Sequence, residues 1–443
     1  MILPYLLQTL WATASALPVT GLFARGGQAS PLDPFYISPG NVQGSPLGTV
    51  LRSRTFQPIY NDRPLNATGY QLLYVTQGAN TTKFAATTTI FKPTQPNGNL
   101  ITYAEPYDAD STACAPSAAY LGGGWSTTSD DETLYMIGFL DQGYIVNSPD
   151  YEGPDSAYSA GILSGHAVLD SVRAVLSYGP IGLNANTQVA GVGYSGGAIA
   201  TGWAAALHAS YAPSINVVAW SVGGTPADLL ACIQNLDGGP YARLAIGGIF
   251  GQSQAYQAIA DLLSASLTSI GLSARNTTFN GCKSPTVALD FAFQHFLSTE
   301  YQSYGSQLVY QPAFAGPLSQ QLLGQDPNLV PVAPIRVFHA LHDEVIPYAT
   351  VQKMVNSWCA NGIKSLIFET DEGASEHGTE EILQLANVFN WVNSRMNGTA
   401  PPVGCQITTT VLPLLDAGAL PAAVSWAAGI ANTLITSNTT PVD

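Results

Sequence analysis

Residues 189–198 read Val-Ala-Gly-Val-Gly-Tyr-Ser-Gly-Gly-Ala. A short apolar run ends in Gly-x-Ser-x-Gly, and small residues and Trp203 follow. The pattern predicts a strand, a sharp turn carrying Ser195, and a helix. The flanking glycines leave room for the turn and for close packing of helix on strand. A serine held this way projects its hydroxyl above a sheet. The helix that starts just after it aims backbone N–H groups at any oxyanion formed there. The plain alternative is a glycine-rich turn without chemistry.

A serine hydroxyl is a weak nucleophile at neutral pH. It needs a base within hydrogen-bond reach and an acid to orient that base. For a nucleophile at such a turn the chain order is Ser, then Asp or Glu, then His. The histidines are His166, His208, His295, His339, His342 and His377. Only His342 and His377 fall in loops that follow strands after Ser195. His377 comes after the last predicted strand and opens the last helix, so it is the expected base. His342 adjoins Asp343 in sequence, too close to be oriented by it in the usual way. His339 lies inside a strand and reads as a core residue, while His166 and His208 read as packed or surface helix residues. Asp343 closes the penultimate strand and is the expected acid, with a helix N-cap as its plain reading and Glu344 as the alternative acid. Asp371 and Glu376, near His377, read as solvated loop charges.

The elements that must position these groups follow from periodicity. Residues 70–75, 85–91, 100–104 and 143–150 read as strands, and 157–176 has apolar residues at helical spacing. The nucleophile strand follows, then another at 217–222. Strands alternating with helices predict a doubly wound, mostly parallel sheet. The alternation stops at 227 and resumes with a strand at 335–341, a helix at 349–359, a strand at 365–370 and a helix at 379–396. More than 100 residues without a clear strand are too long for a structureless loop, so 227–334 reads as a helical cap inserted in the core. Its surplus of apolar residues suits an acyl-binding pocket above Ser195. Residues 17–60 read as an extended arm and 397–443 as a proline-bearing tail. Gly122-Gly123-Gly124-Trp125 does not directly follow a strand and reads as a plain loop.

Composition narrows the partners. The net charge of −15 makes nucleic acid and anionic membrane surfaces poor partners. Residues 1–16 have an apolar core ending in Ala14-Ser15-Ala16, which reads as a secretory signal. Sequons at Asn66, Asn80, Asn276, Asn397 and Asn438 agree with export. The five cysteines, Cys114, Cys232, Cys282, Cys359 and Cys405, show no metal-ligand spacing, so no metal is expected. In an oxidising compartment they allow two disulfides and one thiol. The apolar stretch 420–435 is interrupted by polar residues and followed by a polar tail, so it reads neither as a membrane span nor as a lipid-anchor signal.

Several further stretches carry a specific likeness: Asp33-Pro34-Phe35-Tyr36, Cys114-Ala115-Pro116-Ser117, Gly193 to Ala198, Ser210-Tyr211-Ala212-Pro213, Gly223-Gly224-Thr225-Pro226, Gly238-Gly239-Pro240, Asp343-Glu344 with Pro347-Tyr348, and Glu376-His377. In these the chain resembles the fungal secretory lipases typified by Candida antarctica lipase A, over nearly the whole mature length. The resemblance implies an α/β-hydrolase fold with a large inserted helical cap, acting on triacylglycerols and other carboxylic esters without a cofactor. The partner it implies is a lipid or small ester, met at an oil–water interface. It agrees with Ser195, Asp343 and His377 as a triad. It adds an oxyanion hole made of Gly196 and an aspartate upstream of Cys-Ala-Pro-Ser. The matching position is Asp108, with Asp110 close enough to be confused with it. A carboxylic acid kept protonated can donate such a hydrogen bond. The family also implies disulfides Cys114–Cys282 and Cys359–Cys405, leaving Cys232 free. The triple glycine before Trp125 departs from the family pattern. A serine peptidase of the same fold is the alternative activity, and a non-catalytic binding protein would require a lost triad member, which the sequence does not show.

Overall fold

The computed structural model describes residues 33–60, 63–121, 127–282, 290–419, 421–425 and 427. The predicted signal segment, the triple glycine, Asn438 and most of 420–435 lie outside them. The strands in chain order are β1 (Val50–Phe56), β2 (Ile59–Tyr60), β3 (Arg63–Pro64), β4 (Ala67–Gln77), β5 (Lys83–Pro93), β6 (Leu100–Ala104), β7 (Ile145–Pro149), β8 (Val189–Tyr194), β9 (Val217–Gly223), β10 (Ile335–Ala340), β11 (Ser365–Asp371) and β12 (Gly404–Thr410). The α-helices are α1 (Pro116–Ala119), α2 (Thr127–Asp141), α3 (Gly161–Ser177), α4 (Gly196–Tyr211), α5 (Leu229–Leu236), α6 (Ala242–Ala255), α7 (Gln257–Ser266), α8 (Ser269–Asn280), α9 (Pro312–Ser319), α10 (Tyr348–Ala360) and α11 (His377–Met396).

One ten-stranded sheet runs β1-β4-β5-β7-β6-β8-β9-β10-β11-β12, and β2 pairs with β3 as a separate ribbon. From β7 to β12 every pairing is parallel, whereas β1, β4 and β5 join antiparallel. This is a mostly parallel sheet with helices, the α/β-hydrolase architecture. Strands β6, β7, β8 and β10 are buried along their whole length, as expected where helices cover both faces of a parallel sheet. One face packs on α3, α4 and α10 through residues such as Val168, Trp203 and Val355. The other packs on α2 and α11, where Phe139 and Phe389 stack with ring centroids 4.5 Å apart, a contact of about 0.5–1.5 kcal/mol beyond its area burial.

The segment between β9 and β10 carries α5 to α9. Ile246, Ile249, Phe250, Phe296 and Phe314 from it are buried in the same apolar cluster as the sheet residues Val222 and Val337. The insertion is therefore continuous with the core on that side.

Three expectations need correction, and one helix stands where no element was expected. The arm contains β1, an edge strand whose residues are half-buried or exposed. The tail is not a mere appendage, because β12 pairs in parallel register with β11 and is tied to α10 by Cys359–Cys405. Helix α2 was not anticipated. The last helix begins at His377 rather than at 379, because Glu376 and Thr379 form a reciprocal cap: Glu376 N–H donates to Thr379 Oγ1 at 2.8 Å, and the Glu376 side chain accepts from the Thr379 amide.

Candidate active site

Strand β8 ends at Tyr194 and α4 begins at Gly196, so Ser195 alone makes the turn. Its φ of 50° and ψ of −120° lie outside the regions open to most side chains. Surroundings fix this conformation: Ser195 N–H donates to the Gly223 carbonyl of β9 at 3.0 Å. The first turn of α4 is pressed onto the end of β6, where a Cβ on Gly197 would come within 1.9 Å of the Ala104 carbonyl oxygen. The first N–H groups of α4 have no partner within the helix, and they lie beside Ser195.

His377 opens α11 after β11, and Asp343 lies in the loop after β10. Ser195 Oγ is 2.8 Å from His377 Nε2, and His377 Nδ1 is 2.7 Å from Asp343 Oδ2. In the tautomer this network favours, Nδ1–H donates to Asp343 and Nε2 accepts from Ser195. Asp343 Oδ1 accepts the amides of Val345 (2.9 Å) and Ile346 (2.7 Å). The Asp343 side chain is fully buried and the His377 side chain nearly so, at 12% exposure. Burial pushes the Asp343 carboxyl up, but the hydrogen bond and charge of His377, with His339 and the Ile346 amide, outweigh it and hold the group below the usual range. For His377 burial acts downward, and the Asp343 hydrogen bond and charge, with the Glu381 and Glu344 carboxylates, raise it above the usual histidine value.

Asp108 and Asp110 sit in a buried loop after β6. A Cβ on Gly196 would come within 1.7 Å of Asp108 Oδ1, so the Asp108 carboxyl lies directly against the residue after Ser195. Asp108 has a φ of 40°. Asp110 faces the insertion instead, close to Thr278 of α8 and Arg243 of α6; burial raises its carboxyl well above the usual range against both of these neighbours. The disulfide Cys114–Cys282 joins the same loop to the segment after α8, and Cys232 is a buried free thiol.

Of the other histidines, His166, His208 and His342 fall apart from this chain of contacts. His342 is exposed. His166 stacks on Tyr211, and burial holds it down to about 4. His208 bonds the Ile215 carbonyl. Asp371 was expected in solvent but is buried, accepting from Gly373 N–H at 2.7 Å and from the Ser375 hydroxyl. Glu376 is exposed, as expected for a loop charge.

Three residues beside Ser195, His377 and Asp343 occupy positions that the sequence does not single out. His339 Nε2 bonds the Ile346 carbonyl and lies 3.4 Å from Asp343 Oδ2. Tyr194 donates its hydroxyl to the His377 carbonyl at 2.6 Å. Glu344, read as an alternative acid, accepts the His377 backbone N–H at 2.8 Å. Their sequence signal is adjacency: Tyr194 precedes Ser195, Glu344 follows Asp343, and His339 stands four residues before it.

Among the described residues no cluster of His, Cys, Asp and Glu is arranged to hold a metal ion, and no helix is long and apolar enough to cross a membrane.

Residues 124–404 match the family model described as secretory lipase. The chain is 34% identical over 380 residues to a secreted triacylglycerol lipase of Malassezia globosa, covering 84% of this chain and 83% of that protein. It is 33% identical over 414 residues to a secreted triacylglycerol lipase of Malassezia furfur, covering 90% and 84%. Among solved structures, Candida antarctica lipase A in its closed state superimposes with a TM-score of 0.81 at 30% identity, covering 91% of this chain and 94% of that one.

Proposed function

Because this chain belongs to the secretory lipase family and is a secreted carboxylic ester hydrolase, we propose that it cleaves triacylglycerols and simpler esters through an acyl-enzyme on Ser195. The observation that carries the reading is the continuous chain Ser195 Oγ, His377 Nε2, His377 Nδ1, Asp343 Oδ2, with links of 2.8 and 2.7 Å. Ser195 Oγ attacks the ester carbonyl while His377 Nε2 takes its proton. Asp343 keeps the imidazole in the right tautomer and stabilises the imidazolium. The carbonyl oxygen becomes an oxyanion, held by the Gly196 backbone N–H with the Asp108 carboxyl group against it as the second partner. The C–O bond to the alcohol then breaks, His377 returns the proton to the leaving alkoxide, and a water activated by His377 hydrolyses the acyl-Ser195 ester.

Residues 227–334 serve in this reading as the cap over the site, supplying an apolar wall for the acyl chain. Asn235 in this segment touches the loop that carries Asp343, which supports a position at the site. Residues 1–16 are the export signal, and the sequons are glycan acceptors. Activity on triacylglycerol emulsions and on p-nitrophenyl esters from C2 to C16, set against a fluorogenic peptide panel, tests the reading. Ester turnover without peptide cleavage is expected; peptide cleavage without ester turnover would overturn it in favour of a peptidase.

A further inference from the structure

Asp343 and Ser195 already take both ring nitrogens of His377. Glu344 is left without the role of acid, yet it is not idle. Its Oε2 accepts the His377 backbone N–H at 2.8 Å. That N–H is the first of α11, a donor that the helix cannot satisfy itself, and a negative charge is favoured at a helix N-terminus. Glu344 is also gripped from the insertion. The Tyr241 side chain, just before α6, lies close to its carboxylate. Asn235 of α5 donates through Nδ2 to the carbonyls of Glu344 (3.2 Å) and Val345 (3.1 Å).

We propose that Glu344 is a positioning residue that fixes the backbone of His377, and hence the imidazole over Ser195, and that Tyr241 and Asn235 make this setting depend on how the insertion is seated. The role presupposes His377 as the base, as proposed above. The contact is to a main-chain group of the base and not to its ring, so it sets position without moving the proton. Glu344 also acts through its charge. The titratable groups around the imidazole are Asp343 and Glu344 from the loop after β10, His339 from β10, Glu381 from α11 and Tyr194 from β8. Each carboxylate favours the imidazolium, so removing one lowers the pH at which His377 gives up its proton. A free base is the neutral imidazole, and the acid limb of kcat/KM follows it.

The test is kcat and KM against pH for Glu344→Gln, Glu344→Ala and Tyr241→Phe on a soluble short-chain p-nitrophenyl ester, with labelling by a serine-directed phosphonate. Glutamine keeps an acceptor for the His377 N–H but carries no charge. Its acid limb should move to lower pH by roughly 0.5–1 unit, as one screened nearby charge implies, with most of the plateau kcat retained. Alanine loses the acceptor too, and its plateau kcat should fall by about 10- to 100-fold with KM little changed, the cost of a misplaced base. Tyr241→Phe should lower kcat a few-fold; wild-type kcat there would remove the link to the insertion. An unmoved acid limb in Glu344→Gln would overturn the proposal, and so would wild-type kcat in a folded Glu344→Ala. Should the alanine variant fail to fold, the pH profile of Glu344→Gln decides alone. If the phosphonate does not label Ser195 in the wild type, the triad reading falls instead. If it does and the Glu344 variants behave as wild type, only the role of Glu344 falls.

Discussion

Asp108 and Asp110 stand two residues apart in one buried loop and serve different neighbours. Asp108 Oδ1 occupies the place where a side chain on Gly196 would begin, while Asp110 turns to Thr278 and Arg243 of the insertion. Only Asp108 lies against the residue that follows Ser195. Removing one oxyanion donor costs about 10²–10³ in kcat. Asp108→Ala should show that loss with KM little changed, and Asp108→Asn, which carries an amide donor, should recover part of it. Asp110→Ala should lower Tm and leave kcat within about ten-fold, far short of an oxyanion donor's loss. Steady-state kinetics on one ester with a melt of each variant checks this, and the reverse ranking would give the oxyanion role to Asp110.

His377 and His342 were the two histidines open as a base, and the geometry separates them. His377 bridges Ser195 and Asp343, and His342 is exposed. His377→Ala should lose several orders of magnitude in kcat, about 10⁴ or more. His342→Ala should stay within a few-fold of wild type. A large loss in His342→Ala with a small one in His377→Ala would contradict the assignment.

The sharp turn at Ser195 was legible from its glycines, which answer to contacts: Gly196 meets Asp108 and Gly197 meets the end of β6. Asp343 and His377 were legible because the fold class orders them after successive strands. What escaped lacks a local signature. β12 is largely exposed, with threonines and glutamine facing water, so it shows no apolar alternation. β1 is an edge strand of similar kind. The burial of Asp371 depends on Ser375 and on the approach of α11, and the contact of Glu344 with the His377 amide joins segments 33 residues apart. Such relations belong to tertiary structure and leave no trace in spacing.

Buried carboxyls set a direction for stability against pH. Glu380, on the first turn of α11, is buried and pushed up to about 8 from an ordinary 4.5, by desolvation first and then by the hydrogen bond and charge of Asp371. Desolvation likewise carries Asp150 to about 7. Between their ordinary values and these raised ones, the folded chain holds protons that the unfolded chain has released. Stability from these groups is therefore complete below about pH 4 and declines as pH rises toward 8. Thermal melts from pH 5 to 9 should show Tm falling with pH, and Glu380→Gln should flatten part of the slope. A Tm rising across that window, with no change in Glu380→Gln, would contradict the account.

Glycines of α6 face the loop after β7 and not an open cavity. A Cβ on Gly251 would lie 2.3 Å from the Tyr158 carbonyl oxygen, and Gln252 Nε2 donates to Ser159 O at 2.8 Å. Gly251→Leu should overpack this seam, with a cost of at least about 1–3 kcal/mol. It should lower Tm and reduce turnover of C2 to C16 esters by a common factor. A selective shift toward shorter acyl chains would instead put this face of α6 at the acyl site.

In the proposed reaction Ser195 carries the acyl group. The most direct measurement of this is kcat for ester hydrolysis by Ser195→Ala, taken beside circular dichroism and a melt that show the fold retained. The substitution removes one oxygen and little volume. A loss of about 10⁴–10⁶ in kcat with an unchanged fold is expected. Wild-type turnover by a well-folded Ser195→Ala chain would contradict it.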